Sequence, residues 1–403
     1  MQHPRTLAEV QALIARHHKL RVIGTRHSFN AIADSAEALL MLDKFPTAMS
    51  IDEDRSTVTL AASVNYGELS QFLDSRGYAL HNLASLPHIS VAGAVNTATH
   101  GSGVHHRNLA AAVSALELVT ANGEVKHLSR EQDGDLFDGA VVSLGALGVI
   151  TKLTLELLPT FAVTQSVYCN LPLTHLEPHF DAIMSSGYSV SLFTDWQHEA
   201  IDQVWLKRDV DDVGIATPPI DFFGAAPATT KMHPILGASA QNSTEQFGVP
   251  GPWHERLPHF RYDGTPSVGN ELQTEYFVAR ADAVAALRAV TRLRHELAPY
   301  LYISEIRTIA ADNLWLSPHY HRDSIGIHFT WKRDSIGVQA LLPKIEAALA
   351  PFAPRPHWGK LFTLPPERVQ AGYDRMAEFK QLCREYDPTG KFRNPFLDIA
   401  LFG

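Results

Sequence analysis

At 403 residues the chain is too long for one compact core and predicts two domains, or one large domain carrying an insertion. Its 45% hydrophobic and 19% charged content is that of an ordinary globular protein, and no apolar run approaches the length of a membrane span. A net charge of −9, with no basic stretch interleaved with aromatics, argues against nucleic acid and leaves a small molecule as the expected partner.

Only two cysteines, Cys169 and Cys383, are present, so neither a disulfide framework nor a thiolate metal cluster is expected and cytoplasm is the default. The opening Met-Gln-His-Pro-Arg-Thr has no apolar stretch of the kind an export signal needs. The 21 histidines invite a metal reading, which the spacing does not support. His105 and His106 are adjacent and would face opposite sides of a strand. His319 and His321 have no carboxylate at a metal-binding spacing, and no His-Glu-x-x-His occurs.

In chain order, Thr6 and Glu9 read as a capping box opening an amphipathic helix with Leu7, Val10, Leu13 and Ile14 on one face. A short apolar run (Leu20, Val22, Ile23) then enters Gly24-Thr25-Arg26-His27-Ser28-Phe29. Successive backbone N–H groups in such a turn form a nest for a phosphate or pyrophosphate, Thr25 and Ser28 add hydroxyls, and His27 sits within reach of whatever is held. A surface turn with a satisfied histidine is the bland alternative. Residues 57–61 alternate like a strand, and residues 67–73 form an amphipathic helix closed by Gly77.

Residues 83–103 are almost entirely small, hydroxylic or glycine, which means backbone approaching something closely, either a packed helix or a cofactor. The density of Ser, Thr and Asn favours the cofactor. Residues 115–120 and 124–128 form a hairpin around Ala121-Asn122-Gly123. A second small-residue stretch, 145–150, leads into a strand over 151–158, and Pro159 marks a boundary. Beyond it, strand-like runs at 189–193, 203–206 and 272–278 surround a long loop, 210–270, rich in Pro, Gly and Ala. Helices are predicted at 281–298 and 338–349, strands at 301–307 and 325–331, and a turn at 387–395.

Three clusters place charge on strands that should face a core. Glu305-Ile306-Arg307 puts carboxylate and guanidinium on one face. His328-Phe329-Thr330 repeats the device, and Trp358-Gly359-Lys360 brings an ammonium after a Pro-rich approach. Together they offer alternating donors and acceptors suited to a polyhydroxylated substrate; a solvated sheet face is the alternative for any single pair. No Gly-x-Gly-x-x-Gly after a strand, Walker loop or Gly-x-Ser-x-Gly elbow is present.

The combination of residues 24–30, 85–93, 305–307, 328–331 and 357–360, with 247–256 between them, resembles the vanillyl-alcohol-oxidase-type FAD-dependent oxidases, and among these the enzymes that oxidise alditols. The resemblance implies an α+β fold: a two-subdomain PCMH-type FAD-binding domain over residues 1–160, to which the tail 361–403 returns. A substrate or cap domain, 161–360, would carry a large antiparallel sheet flanked by helices. Relatives of this type begin further upstream, with an Asn-Trp-containing segment before the first helix; FAD binding is expected to survive its absence here.

By the same resemblance His27 matches the histidine that carries FAD covalently through the 8α-methyl group, and Val22, Ile23, Gly24, Thr25, Arg26, His27 and Ser28 match the pyrophosphate loop. Ser90, Val91, Ala92, Gly93, Thr97, Ala98, Thr99 and His100 match further FAD contacts, joined by Ser85 and, more weakly, by Val149, Ile150 and Asn394. Ser85, Glu305, Arg307, Thr330 and Lys360 match polyol-binding residues, with His328 beside them, and Glu305, Arg307, His328 and Lys360 form the catalytic set. The implied reaction passes hydride from C1 of an alditol to flavin N5, with oxygen reduced to hydrogen peroxide. Either His328 or Lys360 takes the hydroxyl proton. An aldonolactone oxidase or dehydrogenase is the related alternative, and a non-catalytic flavin- or carbohydrate-binding protein the remote one.

Overall fold

Two antiparallel sheets organise the computed structural model, which describes residues 1–211, 221–264 and 271–403. The first helix, Leu7–Arg16, starts where the Thr6 hydroxyl accepts the Glu9 N–H. The Glu9 carboxylate reaches back to Arg5 N–H rather than to Thr6, so only half of the expected box forms. Val10 and Ile14 are fully buried. The chain then enters a parallel pair, Leu20–Val22 against Ala38–Leu40.

The smaller sheet has five strands in the order Met49–Asp52, Thr57–Ala61, Val149–Glu156, Val113–Val119 and Val125–Ser129. The last two are the expected hairpin, and Gly123 takes the positive φ of +84° that its turn requires. Helix Tyr66–Asp74 begins in a complete capping box between Asn65 and Glu68. In the small-residue stretch the one α-helix is Val91–Asn96.

The larger sheet has nine strands among the described residues. Its six long ones run Ala162–Pro172, Ala200–Asp209, Ser189–Thr194, Leu301–Ile309, Ser324–Trp331 and Leu272–Ala279, each antiparallel to its neighbour. Helices Leu173–Met184 and Ala283–Thr291 pack on it and on each other, and Ser335–Leu349 packs on Ala283–Thr291 and accepts a hydrogen bond from Tyr276 of the sheet at Glu346. The strand at 200–209 outruns the expected 203–206 because its polar members Asp202, Gln203, Lys207 and Arg208 are themselves buried.

The helix expected over 281–298 stops at Thr291, and a short turn, Arg294–Leu297, follows. Thr291 Oγ1 donates to Leu287 O at 2.9 Å, a competing bond of the kind that bends helices. Of the expected loop at 210–270, residues 212–220 and 265–270 lie outside the described residues. Among the described residues no helix is long and apolar enough to cross a membrane.

The C-terminal segment packs back on the first strand. Lys391 O accepts Leu20 N–H, and Asn394 Nδ2 donates to the carbonyls of Ala31, Ile32 and Asp34. Arg21, 3% exposed, spends its guanidinium on four carbonyls, those of Ile32, Leu144, Gly145 and Phe392. One buried cation thereby ties the N-terminal strand, the small-residue turn at 144–145 and the tail together.

Candidate active site

The turn after Leu20–Val22 is open on its amide side. Ile23 N–H bonds Leu40 O and Phe29 N–H bonds Gly359 O, but the five successive N–H groups from Gly24 to Ser28 have no acceptor among the described residues. Free amides in series are what an anion nest presents. The turn also presses on the start of helix Val91–Asn96: Ser90 N–H bonds Thr25 Oγ1, and a Cβ on Gly24 would lie 2.4 Å from Ser90 Oγ. Glycine is required there by contact.

A cleft runs from this turn. Val22, Ile23, Gly24, Thr25, Ser28, Ser90, Ala92, Gly93, Thr97 and Ile150 line it, all expected from sequence, together with Asn96, Gly145 and Gly148 of the two small-residue stretches and with Ser63, which was not expected. The Ser63 hydroxyl is buried without a partner. Open amides, a glycine cradle and an orphaned hydroxyl fit an elongated diphosphate-containing cofactor. Arg26 and His27 are exposed beside the turn, with Arg26 at φ +63°. The side chains of Val91, Ala98 and Val149 pack in the core, Thr99 bonds Thr97, and Asn394 makes the tail contact already described.

The second half of the site is a rung of charges. Register places Glu275, His328 and Glu305 directly opposite one another on three adjacent strands. All three are buried, as is Arg307 two residues beyond Glu305, so the solvated-face alternative fails. Lys360 Nζ lies 2.6 Å from Glu275 Oε2 and 2.7 Å from His328 Nδ1. Arg307 lies 3.2 Å from Glu275 Oε1 and 3.5 Å from both Glu305 Oε1 and Ser85 Oγ. His100 Nε2 stands 3.2 Å from Glu275 Oε1, which puts this expected cofactor contact behind the charged rung. Thr330 Oγ1 lies 3.1 Å from His328 Nε2. Gly326 keeps the centre open, since a Cβ there would meet Glu275 Oε1 at 3.0 Å.

Burial alone pushes the Glu275 carboxyl pKa up, but Lys360, His100 and Arg307 outweigh it and hold it well below the usual range. Glu305 is held down in the same way by Arg307 and His259. Burial lowers the Lys360 ammonium pKa despite Glu275. Burial and the Lys360 charge push His328 down to about 4.

The two halves are bolted together. Asn30 Nδ2 donates to the carbonyls of both Trp358 and Lys360, and Phe29 N–H to that of Gly359. The turn with His27 therefore sets the position of Lys360. Glu275 was not anticipated, because it stands alone in its strand without the paired guanidinium that marked Glu305-Ile306-Arg307. His259 had no signal, because it sits in an aperiodic Pro-rich segment.

Residues 2–129 match the family described as an FAD binding domain, and residues 270–400 that of D-arabinono-1,4-lactone oxidase. An alditol oxidase of Streptomyces sp. (strain IKD472 / FERM P-14339) is 48% identical over 406 residues, covering 100% of this chain and 96% of the relative. An L-gulono-1,4-lactone dehydrogenase of Mycobacterium tuberculosis is 27% identical over 420 residues, covering 98% and 94%. The solved structure of cholesterol oxidase from B. sterolicum superposes with a TM-score of 0.79 at 14% identity, covering 99% of this chain and 93% of that one, a likeness of fold alone.

Proposed function

We propose that this chain, which belongs to the vanillyl-alcohol-oxidase-type family of FAD-dependent oxidoreductases, oxidises the terminal primary alcohol of alditols such as xylitol and sorbitol to the aldose, with oxygen reduced to hydrogen peroxide. The observation that carries the reading is the buried Glu275–His328–Glu305 rung with Arg307 and Lys360, joined through Asn30 to the cofactor turn. Bound FAD supplies the hydride acceptor and, with oxygen, its own reoxidation. The free amides from Gly24 to Ser28 are suited to its pyrophosphate, and His27, exposed next to them, to the covalent bond at the 8α position. We assign cofactor binding to residues 1–160 and 361–403 and substrate covering to 161–360. A cytoplasmic location fits two cysteines that are both free thiols.

Glu305 and Arg307 bind the polyol chain, with Ser85 and Thr330 as hydroxyl partners. Among the described residues Glu305 Oε2 has no hydrogen-bond partner, which leaves it to accept a substrate hydroxyl. Arg307 stabilises charge on an alkoxide oxygen in a water-poor site. The proton goes to Lys360 Nζ. His328, lowered to about 4 beside the Lys360 charge, is the weaker base at neutral pH, and burial of Lys360 lowers its ammonium pKa and so favours its amine form. Glu275 and His328 Nδ1 hold the ammonium that forms.

The match of residues 270–400 to a lactone oxidase favours an aldonolactone as the second reading. Peroxide release from xylitol or sorbitol, compared with a γ-lactone such as L-gulonolactone, separates the two: the alditol reading requires turnover of the polyols and fails if the lactone alone is oxidised. Flavin colour that stays with acid-precipitated protein, and is lost in His27→Ala, tests the covalent bond; colour that leaves the precipitate refutes it.

A further inference from the structure

Behind Glu305 lies a second group that the reaction as described does not use. Lys207 is fully buried, and its Nζ donates to the carbonyls of Arg256, Leu257 and Pro258 at 2.7, 2.6 and 2.9 Å. Three acceptors use all three ammonium protons, so this one side chain sets the path of the turn that leads into His259. The His259 backbone is fixed on both sides, its N–H to Ser85 O and its carbonyl to Thr244 N–H. Its ring is walled by Phe193 and Trp205, edge to face, with centroids 5.4 and 5.1 Å away. What remains is Nε2, which lies 2.7 Å from Glu305 Oε1.

We infer that Lys207 and His259 are positioning residues that decide which oxygen of Glu305 meets the polyol. An ionised carboxylate accepts only, so His259 is the tautomer carrying its proton on Nε2, and its Nδ1 lone pair faces Lys207 at 3.4 Å. Oε1 is then committed to His259 and to the Arg307 side, and Oε2 is turned to the substrate. Without the His259 N–H, the carboxylate is free to rotate about its last bond and to pair with Arg307 through both oxygens. The hydroxyl acceptor is lost while every charge remains. The inference rests on the alditol reading for its substrate, but the His259 tautomer is a property of the protein alone.

The test compares xylitol KM and kcat for His259→Gln, whose amide nitrogen stands near the Nε2 position, with His259→Asn and His259→Phe, each in wild-type and Glu305→Gln backgrounds. A lost hydrogen bond to a charged group is expected to raise KM by roughly 10- to 100-fold in Phe and Asn, with flavin content unchanged and Gln close to wild type. In the Glu305→Gln background His259→Phe should add less than about twofold. Equal effects of Gln and Asn, or the same factor in both backgrounds, overturn the inference, since a merely structural histidine behaves so. Nitrogen NMR of the purified protein, with the resonance assigned by its loss in His259→Asn, is expected to show a neutral Nε2-protonated ring. An Nδ1-protonated ring overturns the inference whatever the substrate, and absence of alditol turnover in the wild type refutes the alditol reading without touching the tautomer result.

Discussion

Replacing Glu275 by glutamine keeps the side-chain shape and removes the carboxylate that Lys360 and Arg307 share, at 2.6 and 3.2 Å. At an effective dielectric constant of about 20, unit charges at the shorter distance attract by roughly 6 kcal/mol. Removing one partner of a buried pair typically costs about 3–5 kcal/mol. The lower end is expected here, because Lys360 relieves the strain by releasing its proton. That relief has its own signature. Glu275 raises the Lys360 pKa, so its loss lowers it, and a base that must be neutral becomes active at lower pH. The acid limb of kcat/KM therefore moves to lower pH. Denaturant unfolding and a pH profile of xylitol oxidation measure the two effects. A Glu275→Gln variant within ~1 kcal/mol of wild type, with its acid limb unmoved, refutes the reasoning.

Lys360→Ala should lower turnover far more than flavin content; equal loss of both removes its catalytic assignment. Gly24→Ala drives a Cβ to within 2.4 Å of Ser90 Oγ and should weaken FAD retention roughly 10-fold or more, consistent with about 1–3 kcal/mol of overpacking. Adding Ser90→Ala should recover part of it, read as flavin per protein; no recovery removes the contact as the cause. Acid should destabilise the fold early. His259 and His328 are each lowered from 6.5 to about 4 by burial. The unfolded chain therefore takes up protons that the folded one refuses, and stability present above pH 6.5 is lost as pH falls towards 4, by about 3 kcal/mol per group. Unfolding midpoints flat across that window would contradict this.

The hairpin, most of the strands and the glycine turn at 24–28 were legible because their cues are local: alternation, an Asn-Gly turn, a glycine between an apolar run and hydroxyls; Met49–Asp52 and the long strand Ala162–Pro172 were not foreseen. Glu305, Arg307 and His328 stood out as charge on strands that should be apolar. Glu275 lacked such a charged partner in its own strand, and its weight as the hub comes from register, which sets it opposite His328 and two strands from Glu305. Register between strands some 50 residues apart is not written in either strand. Lys207, Arg21 and His259 were hidden for a further reason. Each acts through backbone carbonyls or a single long-range contact, so its role depends on where distant turns arrive. The break at Thr291 likewise followed from a side-chain bond that helical periodicity does not report.

The most direct test of the central claim is anaerobic addition of xylitol to the purified flavoprotein, followed by visible absorbance and then by readmission of oxygen. The flavin is expected to bleach with xylitol and its colour to return with oxygen, releasing one peroxide per aldose formed. A flavin that keeps its colour in saturating xylitol and sorbitol but bleaches with a γ-lactone, or with neither, contradicts it.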